Sequence, residues 1–408
     1  MKRHPWATVG KVVACVFAVA LVSTFGVAGV AAANLVSGAP KTVRLVGEKP
    51  GEIPSIGAIE GGVNLLIAAS DTRSGQGDSW GSTDDSSGVG NNDVTMLLHL
   101  SQDHTHAEVV SFPRDLIIDF PKCPDGSGGW ISARHNAQLN TSLPEGGPDG
   151  GVACTVSVIE QLTGLTIPFA GSITFEGVVA MSNAVGGVPV CIGGDGIHDP
   201  DTNLDLAPGT ATLQGQEAAE FLRTRHGVGN ESDLDRISNQ QVFLSSLVRT
   251  IMSDDTLTNP VKVWGIAKAA TQYFTFSDSL RSATTIYQMA IALKGLNWNN
   301  ITFVQYPVVA DPDNQNRVVP DESAAKTLMD ALSNDQPLAI TGDTGNGGSI
   351  VPTTSPSPQE AAPAPTTSAA GGKGGPASGP STASTPVQLD ANVHGQTAAT
   401  QTCSNGNG

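Results

Sequence analysis

Apolar residues first gather in one unbroken block. Residues 12–33 are rich in Val, Ala, Leu and Phe, and no charged residue occurs from 12 to 40. Roughly 20 apolar residues in a helix span the ~30 Å core of a bilayer, so residues 12–33 predict a transmembrane signal-anchor. Lys2, Arg3, His4 and Lys11 precede it, and positive flanks stay on the cytoplasmic side. Residues 1–11 are then cytoplasmic, and the rest of the chain is extracytoplasmic. Ala31-Ala32-Ala33 also offers small residues of the kind a signal peptidase accepts, and cleavage there would export the same chain. Residues 34–60 carry Pro40, Pro50 and Pro54 and read as a stalk.

From residue 61 the pattern changes to short apolar runs alternating with helical periodicity. Residues 63–68 form a run bounded by Gly61-Gly62 and Ser70-Asp71, which predicts a buried strand. Residues 94–100 and 108–112 read as a strand pair joined by a polar turn. Cys154, Val158, Ile159 and Leu162 recur at helical spacing with Gly164 as the stop. Further helices are predicted over 175–184, 214–222, 234–252, 260–273, 280–293 and 322–332, with strands at 188–192 and 301–308. Strands interspersed with helices, some hairpin-linked, imply an α/β fold: a three-layer αβα sandwich on a mixed central sheet, spanning 61–337. Residues 338–408 are rich in Pro, Ser, Thr, Ala and Gly and predict a disordered tail.

Composition narrows the function. The chain of 408 residues has a formal net charge of −17 with only 21 Lys plus Arg, so no basic field exists to follow a nucleic-acid backbone. Export suits disulfides. Cys15 falls in the apolar block, leaving Cys123, Cys154, Cys191 and Cys403. Four cysteines allow three pairings; the loop-like surroundings of Cys123 and Cys154 favour that pair, and Cys191 after an apolar strand also fits a buried small hydrophobe. His104 and His106, flanking the polar turn, read as solvent-facing.

Candidate chemistry sits at the strand ends. Asp71 and Asp93 stand at the ends of neighbouring predicted strands, where two carboxylates either cap turns or share one hard cation with phosphate oxygens. Pro113 ends a strand and delivers Arg114 to the rim of the sheet, where open α/β folds bind ligands. Arg223 and Arg225 face the same way if the backbone there is extended. Asp233, Arg236 and Gln240 fall at i, i+3 and i+7, on one helical face. Three converging guanidinium groups either bind an anion between them or are neutralised by Asp233 and Asp235.

Taken together, these segments resemble the LytR-CpsA-Psr family of cell-wall glycopolymer ligases. The likeness is carried by Asn64 to Arg73, by Asn92-Asp93 with the strand after it, and by Ser111-Phe112-Pro113-Arg114-Asp115. Phe221-Leu222-Arg223-Thr224-Arg225-His226 and the run from Asp233 to Gln241 complete it. The resemblance implies an arginine-lined mouth on a long apolar pocket for a polyprenyl chain. Asp71 and Asp93 are the implied Mg²⁺ (or Mn²⁺) carboxylates. Arg73, Arg114, Arg223, Arg225, Arg236 and Gln240 are the implied pyrophosphate ligands, and Arg73, Arg114, Asp233 and Arg236 are the implied catalytic set. Asn91 stands where members often carry arginine. The implied activity is a phosphotransferase-type ligase moving a glycopolymer from polyprenyl pyrophosphate onto peptidoglycan, at a muramic acid hydroxyl. Attack at the sugar carbon, with lipid pyrophosphate leaving, is the expected chemistry, and no base is assigned. A hydrolase of the same lipid, or a non-catalytic module that binds it, would use the same residues.

Overall fold

The computed structural model describes residues 41–49, 52–59, 62–72, 88–345, 347–351 and 385–407. The predicted anchor over 12–33 and Arg73 lie outside them. Among the described residues no helix is long and apolar enough to cross a membrane.

The first half of the chain supplies β1 (Lys41–Val43), β2 (Val63–Ser70), β3 (Asn92–Leu100), β4 (Ala107–Phe112), α1 (Ser142–Thr163), β5 (Phe169–Ile173) and α2 (Phe175–Val185). There follow β6 (Val188–Gly194), the hairpin of β7 (Ile197–Asp199) and β8 (Leu204–Leu206), β9 (Gly209–Leu213), α3 (Gln216–Arg223) and α4 (Asp233–Met252). The remainder forms α5 (Pro260–Tyr273), β10 (Phe274–Ser277), α6 (Ala283–Lys294), β11 (Ile301–Gln305), α7 (Glu322–Ser333), β12 (Ser349–Ile350), β13 (Gly395–Thr397) and β14 (Cys403–Gly406).

Local chemistry sets the helix ends. Gly164 ends α1 in the left-handed conformation, φ 71°, where its N–H reaches Glu160 O. Ser232 and Asp235 form a reciprocal capping box at the start of α4. That cap fixes where α4 begins and therefore where Asp233 and Arg236 point.

The main sheet has eight strands in the order β1-β10-β5-β2-β3-β4-β11-β13. It is mixed: β5 runs parallel to β2 and β11 parallel to β4, while β2, β3 and β4 are antiparallel neighbours. Period-2 alternation buries both faces. Leu66, Leu97, Val110 and Val304 pack under α1 and α7 on one side. Leu65, Leu98, Val109 and Phe303 pack on the other, with Met289 and Ala292 of α6 and Leu244 and Val248 of α4. A second sheet, β9-β6-β14-β12, is backed by Phe221 of α3 and Val242 and Phe243 of α4.

Both predicted domain boundaries need correction. Most of the expected stalk is folded, because β1 pairs in parallel with β10 at the edge of the main sheet and Ile56 is buried against Val63 and Leu100. The expected tail is partly built in as well. β13 pairs with β11, β14 lies between β6 and β12, and Leu389 and Val393 enter the core under α7. Residues 352–384 lie outside the described residues. These terminal strands carry few large side chains, and backbone hydrogen bonding to an existing sheet holds them instead, a contribution that apolar patterning does not register.

Cys123–Cys154 is a disulfide, as expected, and Cys191–Cys403 is a second one. Cys191 is therefore not a lone small hydrophobe: its register partner across β6 and β14 is Cys403. His106 is not solvent-facing either. It is 5% exposed and its Nδ1 lies 2.9 Å from Glu108 Oε1.

Candidate active site

The site lies where β2, β3 and β4 end against α3 and α4. Asp71 follows β2, and its backbone N–H donates to Asn91 O at 3.0 Å. One carboxylate oxygen of Asp71 in turn accepts from Asn91 N–H, so Asn91 locks the Asp71 side chain through its main chain. Gly90 makes this turn possible. Its φ is +68°, and a Cβ there would lie 2.3 Å from Thr72 N.

Asp93, second residue of β3, accepts from Arg114 Nη1 at 2.9 Å through Oδ1, and its carbonyl accepts from Arg236 Nη2 at 3.3 Å. Pro113 releases the chain from β4, and Arg114 N–H donates to Asp233 Oδ2 at 3.2 Å. Asp233 Oδ1 pairs with Arg236 one helical turn on. Asp233 thus sits behind the arginines and orients two of them. The Nε atoms of Arg114 and Arg236 are buried, with no hydrogen-bond partner among the described residues.

Arg223 closes α3 and lays its guanidinium over the Phe175 ring, 4.7 Å from its centroid. Thr224 is extended, φ −58° and ψ 140°, which brings Arg225 to the same rim. No ion pair reaches Arg225 among the described residues. Burial lowers its pKa first, and the charges of Arg114 and Arg236 lower it further against the weaker pull of Asp233 and Asp115. Arg114 is raised: burial opposes its charge, but Asp93, Asp233 and Asp115 outweigh burial. One arginine is therefore held by carboxylates while another is pressed by like charges, an arrangement suited to an anion.

The cavity these groups line measures about 260 Å³ and is bounded by Asp71, Asp93, Arg114, Phe175, Asp199, Asp201, Thr202, Arg223, Arg225, His226 and Arg236. Six of the nine residues singled out from sequence meet there. Asp233 stands behind it, and Gln240 does not line it: its amide donates to Leu222 O at 2.9 Å, tying α4 to α3. Gln240 borders instead an adjoining apolar cavity that shares Asp93, Phe175, Arg223 and Arg236. That cavity is only about 40 Å³, too narrow for a prenyl chain. Where the resemblance implies a long apolar pocket, the structure has this small cavity, whose apolar lining is Ala69, Val94, Val178, Ala219 and Leu222.

Sequence reading missed the wall made by the β7–β8 hairpin. Asp199 is buried, and burial works against its charge. Hydrogen bonds from Thr224 Oγ1 and from the N–H groups of Arg225, Asp201 and Thr202 prevail and hold its carboxyl below the ordinary range. The Asp199-Pro200-Asp201 turn chemistry was visible in the sequence, but nothing there linked it to Arg225.

Asp71 and Asp93 are hard oxygen donors on one cavity, and no set of three or more His, Cys, Asp or Glu among the described residues could hold a metal alone. Two carboxylates fit a Mg²⁺ ion that completes its shell with phosphate oxygens and water.

The LytR_cpsA_psr family model matches residues 37–334. The cell wall biosynthesis protein LcpA of Corynebacterium glutamicum is 29% identical over 278 residues, 62% of this chain and 51% of that protein. The polyisoprenyl-teichoic acid–peptidoglycan teichoic acid transferase TagT of Bacillus subtilis is 25% identical over 209 residues, 48% of this chain and 59% of that protein. The chain thus spans about half to three fifths of the length of these relatives. The structure of a LytR-Csp2A-Psr enzyme from Actinomyces oris is similar with a TM-score of 0.52 at 17% identity, covering 72% of this chain and 96% of that one, a likeness of fold. With the match running from 37 to 334 of its 408 residues, the chain belongs to the LytR_cpsA_psr family.

Proposed function

We propose that this chain is a membrane-anchored extracytoplasmic transferase that moves a glycopolymer from a polyprenyl-pyrophosphate carrier onto a hydroxyl of peptidoglycan. The observation that carries the proposal is the convergence of Arg114, Arg225 and Arg236 on one cavity that Asp71 and Asp93 also line. The teichoic acid transfer named for TagT and the cell-wall role named for LcpA point the same way.

Charge favours attack at phosphorus over the sugar carbon expected from sequence. Breaking the sugar–oxygen bond develops positive charge on the sugar ring, which glycosyl-transferring sites meet with carboxylates. Displacement at phosphorus instead spreads negative charge over phosphoryl oxygens, and guanidinium groups stabilise that charge. The peptidoglycan hydroxyl then forms the new O–P bond, and the bond to the lipid phosphate breaks. Arg114 and Arg236, fixed by Asp233, hold the phosphoryl oxygens. Arg225 supplies the cation that lacks a carboxylate partner among the described residues, and Arg223, stacked on Phe175, stands at the edge of the same cavity. A Mg²⁺ ion, when held by Asp71 and Asp93, would neutralise charge on the diphosphate.

Incubating the full-length protein in detergent with a prenyl-pyrophosphoryl N-acetylglucosamine, a soluble peptidoglycan fragment and Mg²⁺ tests the reading. The expected products are a phosphodiester-linked sugar–peptidoglycan conjugate and prenyl monophosphate in equal amounts. Prenyl monophosphate without conjugate would mean hydrolysis. Prenyl pyrophosphate as the released lipid would return the attack to the sugar carbon.

A further inference from the structure

The proposed transfer needs a group to take the proton of the attacking hydroxyl, and the carboxylates at the arginine cluster are committed elsewhere. Asp93 and Asp233 hold arginines, and Asp71 is tied to Asn91. His226 stands on a different wall of the same cavity, in the loop between α3 and α4. Its Nδ1 lies 3.1 Å from Glu231 Oε2 in a hydrogen bond, and its Nε2 lies 3.3 Å from Asp201 Oδ2. Glu231 adopts φ +65°, a conformation that costs a non-glycine residue energy and gathers at functional sites. The capping box starts immediately after it, and Glu231 N–H donates to Val228 O at 3.0 Å, so the strained backbone is held from both sides.

We propose that His226 is the general base of the transfer and that Glu231 is its positioning residue. The assignment rests on the transferase reading above. Glu231 accepts from Nδ1–H, which fixes the ring and leaves Nε2 as the acceptor. The acceptor hydroxyl enters beside Nε2, displacing the largely exposed Asp201 carboxylate. As its oxygen bonds to phosphorus its proton passes to Nε2, and the electron pair of the breaking P–O bond stays on the lipid phosphate. The imidazolium then releases the proton to solvent. The charged groups around the ring are Asp199 and Asp201 on the β7–β8 hairpin, Glu231 on its own loop, and Arg223 and Arg225 just before it.

The test uses the full-length protein with the donor and acceptor described above, alongside geranyl pyrophosphate as a binding probe. His226→Gln should bind geranyl pyrophosphate within about threefold of wild type while its transfer rate falls on the order of 10²–10⁴-fold, and the acid limb of its pH profile should vanish. Glu231→Gln should lower kcat roughly tenfold or more while KM for the donor stays within about threefold of wild type. A His226→Gln transfer rate within threefold of wild type, or an unchanged acid limb, would overturn the base assignment and leave the transferase reading intact. Loss of geranyl pyrophosphate binding in both variants would make the loop a structural support, and the assignment would fall. If wild-type protein transfers nothing at any pH, the transferase reading falls and takes the base with it.

Discussion

Arg225 shows most directly how a single side chain trades stability for binding. It is half-buried beside Arg114 and Arg236, and its pKa is lowered by burial and then by those two neighbours. In the ligand-free protein its charge is a cost; with a diphosphate in place it becomes a contact. A hydrogen bond to a charged group contributes about 1.5–3 kcal/mol, so Arg225→Ala should weaken geranyl pyrophosphate binding roughly ten- to hundredfold. The same variant should melt no lower than wild type without ligand. A drop of several degrees in Tm would show that the guanidinium supports the fold. Such a site was half legible in sequence. Residue spacing put Asp71, Asp93, Arg114 and Arg236 at strand and helix ends, because Ser70-Asp71 after the first apolar run, Pro113 after a later strand and the helical spacing of Asp233, Arg236 and Gln240 are local signals. The partners that decide each role, such as Asp199 beneath Arg225, come from distant segments. Gln240 was misplaced for the same reason: helical spacing gave its face, and the carbonyl of Leu222 decided its partner.

The element that most changes the picture is β14. It lies beside β6, is tied to it by Cys191–Cys403, and reaches the loop that carries Arg225 and His226. Gly229 N–H donates to Asn405 O at 2.9 Å and Asn407 N–H to Gly227 O at 3.2 Å. The carboxy-terminal strand therefore pins the active-site loop as well as the second sheet. Replacing both cysteines (Cys191→Ala with Cys403→Ala) should cost about 2–5 kcal/mol in stability, read by denaturant unfolding. It should also slow transfer at 25 °C, where the protein is still folded, because the loop loses its fixed geometry. If stability falls and the rate does not, β14 is a staple for the sheet alone. Helices and long strands were readable from periodicity, since each buries a face of its own. Strands of two to four residues such as β12, β13 and β14 bury little and exist only because another strand offers its edge.

At the scale of the whole molecule, pH acts through a diffuse charge and through one buried pair, and the two can be separated. The chain carries a formal −17, and losing protons adds to that self-repulsion. At the end of the main sheet remote from the site, His106 is buried against Glu108. Asp335, just after α7, reaches the same turn by accepting Gln102 N–H at 3.1 Å. Burial opposes a charged His106, but the hydrogen bond and charge of Glu108, then Asp335, outweigh it and raise the pKa above its ordinary value. A folded-state pKa above the unfolded one means the protonated pair stabilises fully below about pH 6.5, and that contribution is lost as pH rises through the folded value. Thermal unfolding should therefore show Tm falling as pH rises above about 6.5. Added salt screens the diffuse repulsion between exposed charges and leaves the buried pair. In 0.5 M NaCl the wild-type slope should persist and His106→Gln should flatten it, whatever its absolute Tm. Equal slopes in the two proteins at high salt would assign the pH dependence to net charge and remove His106 from the account.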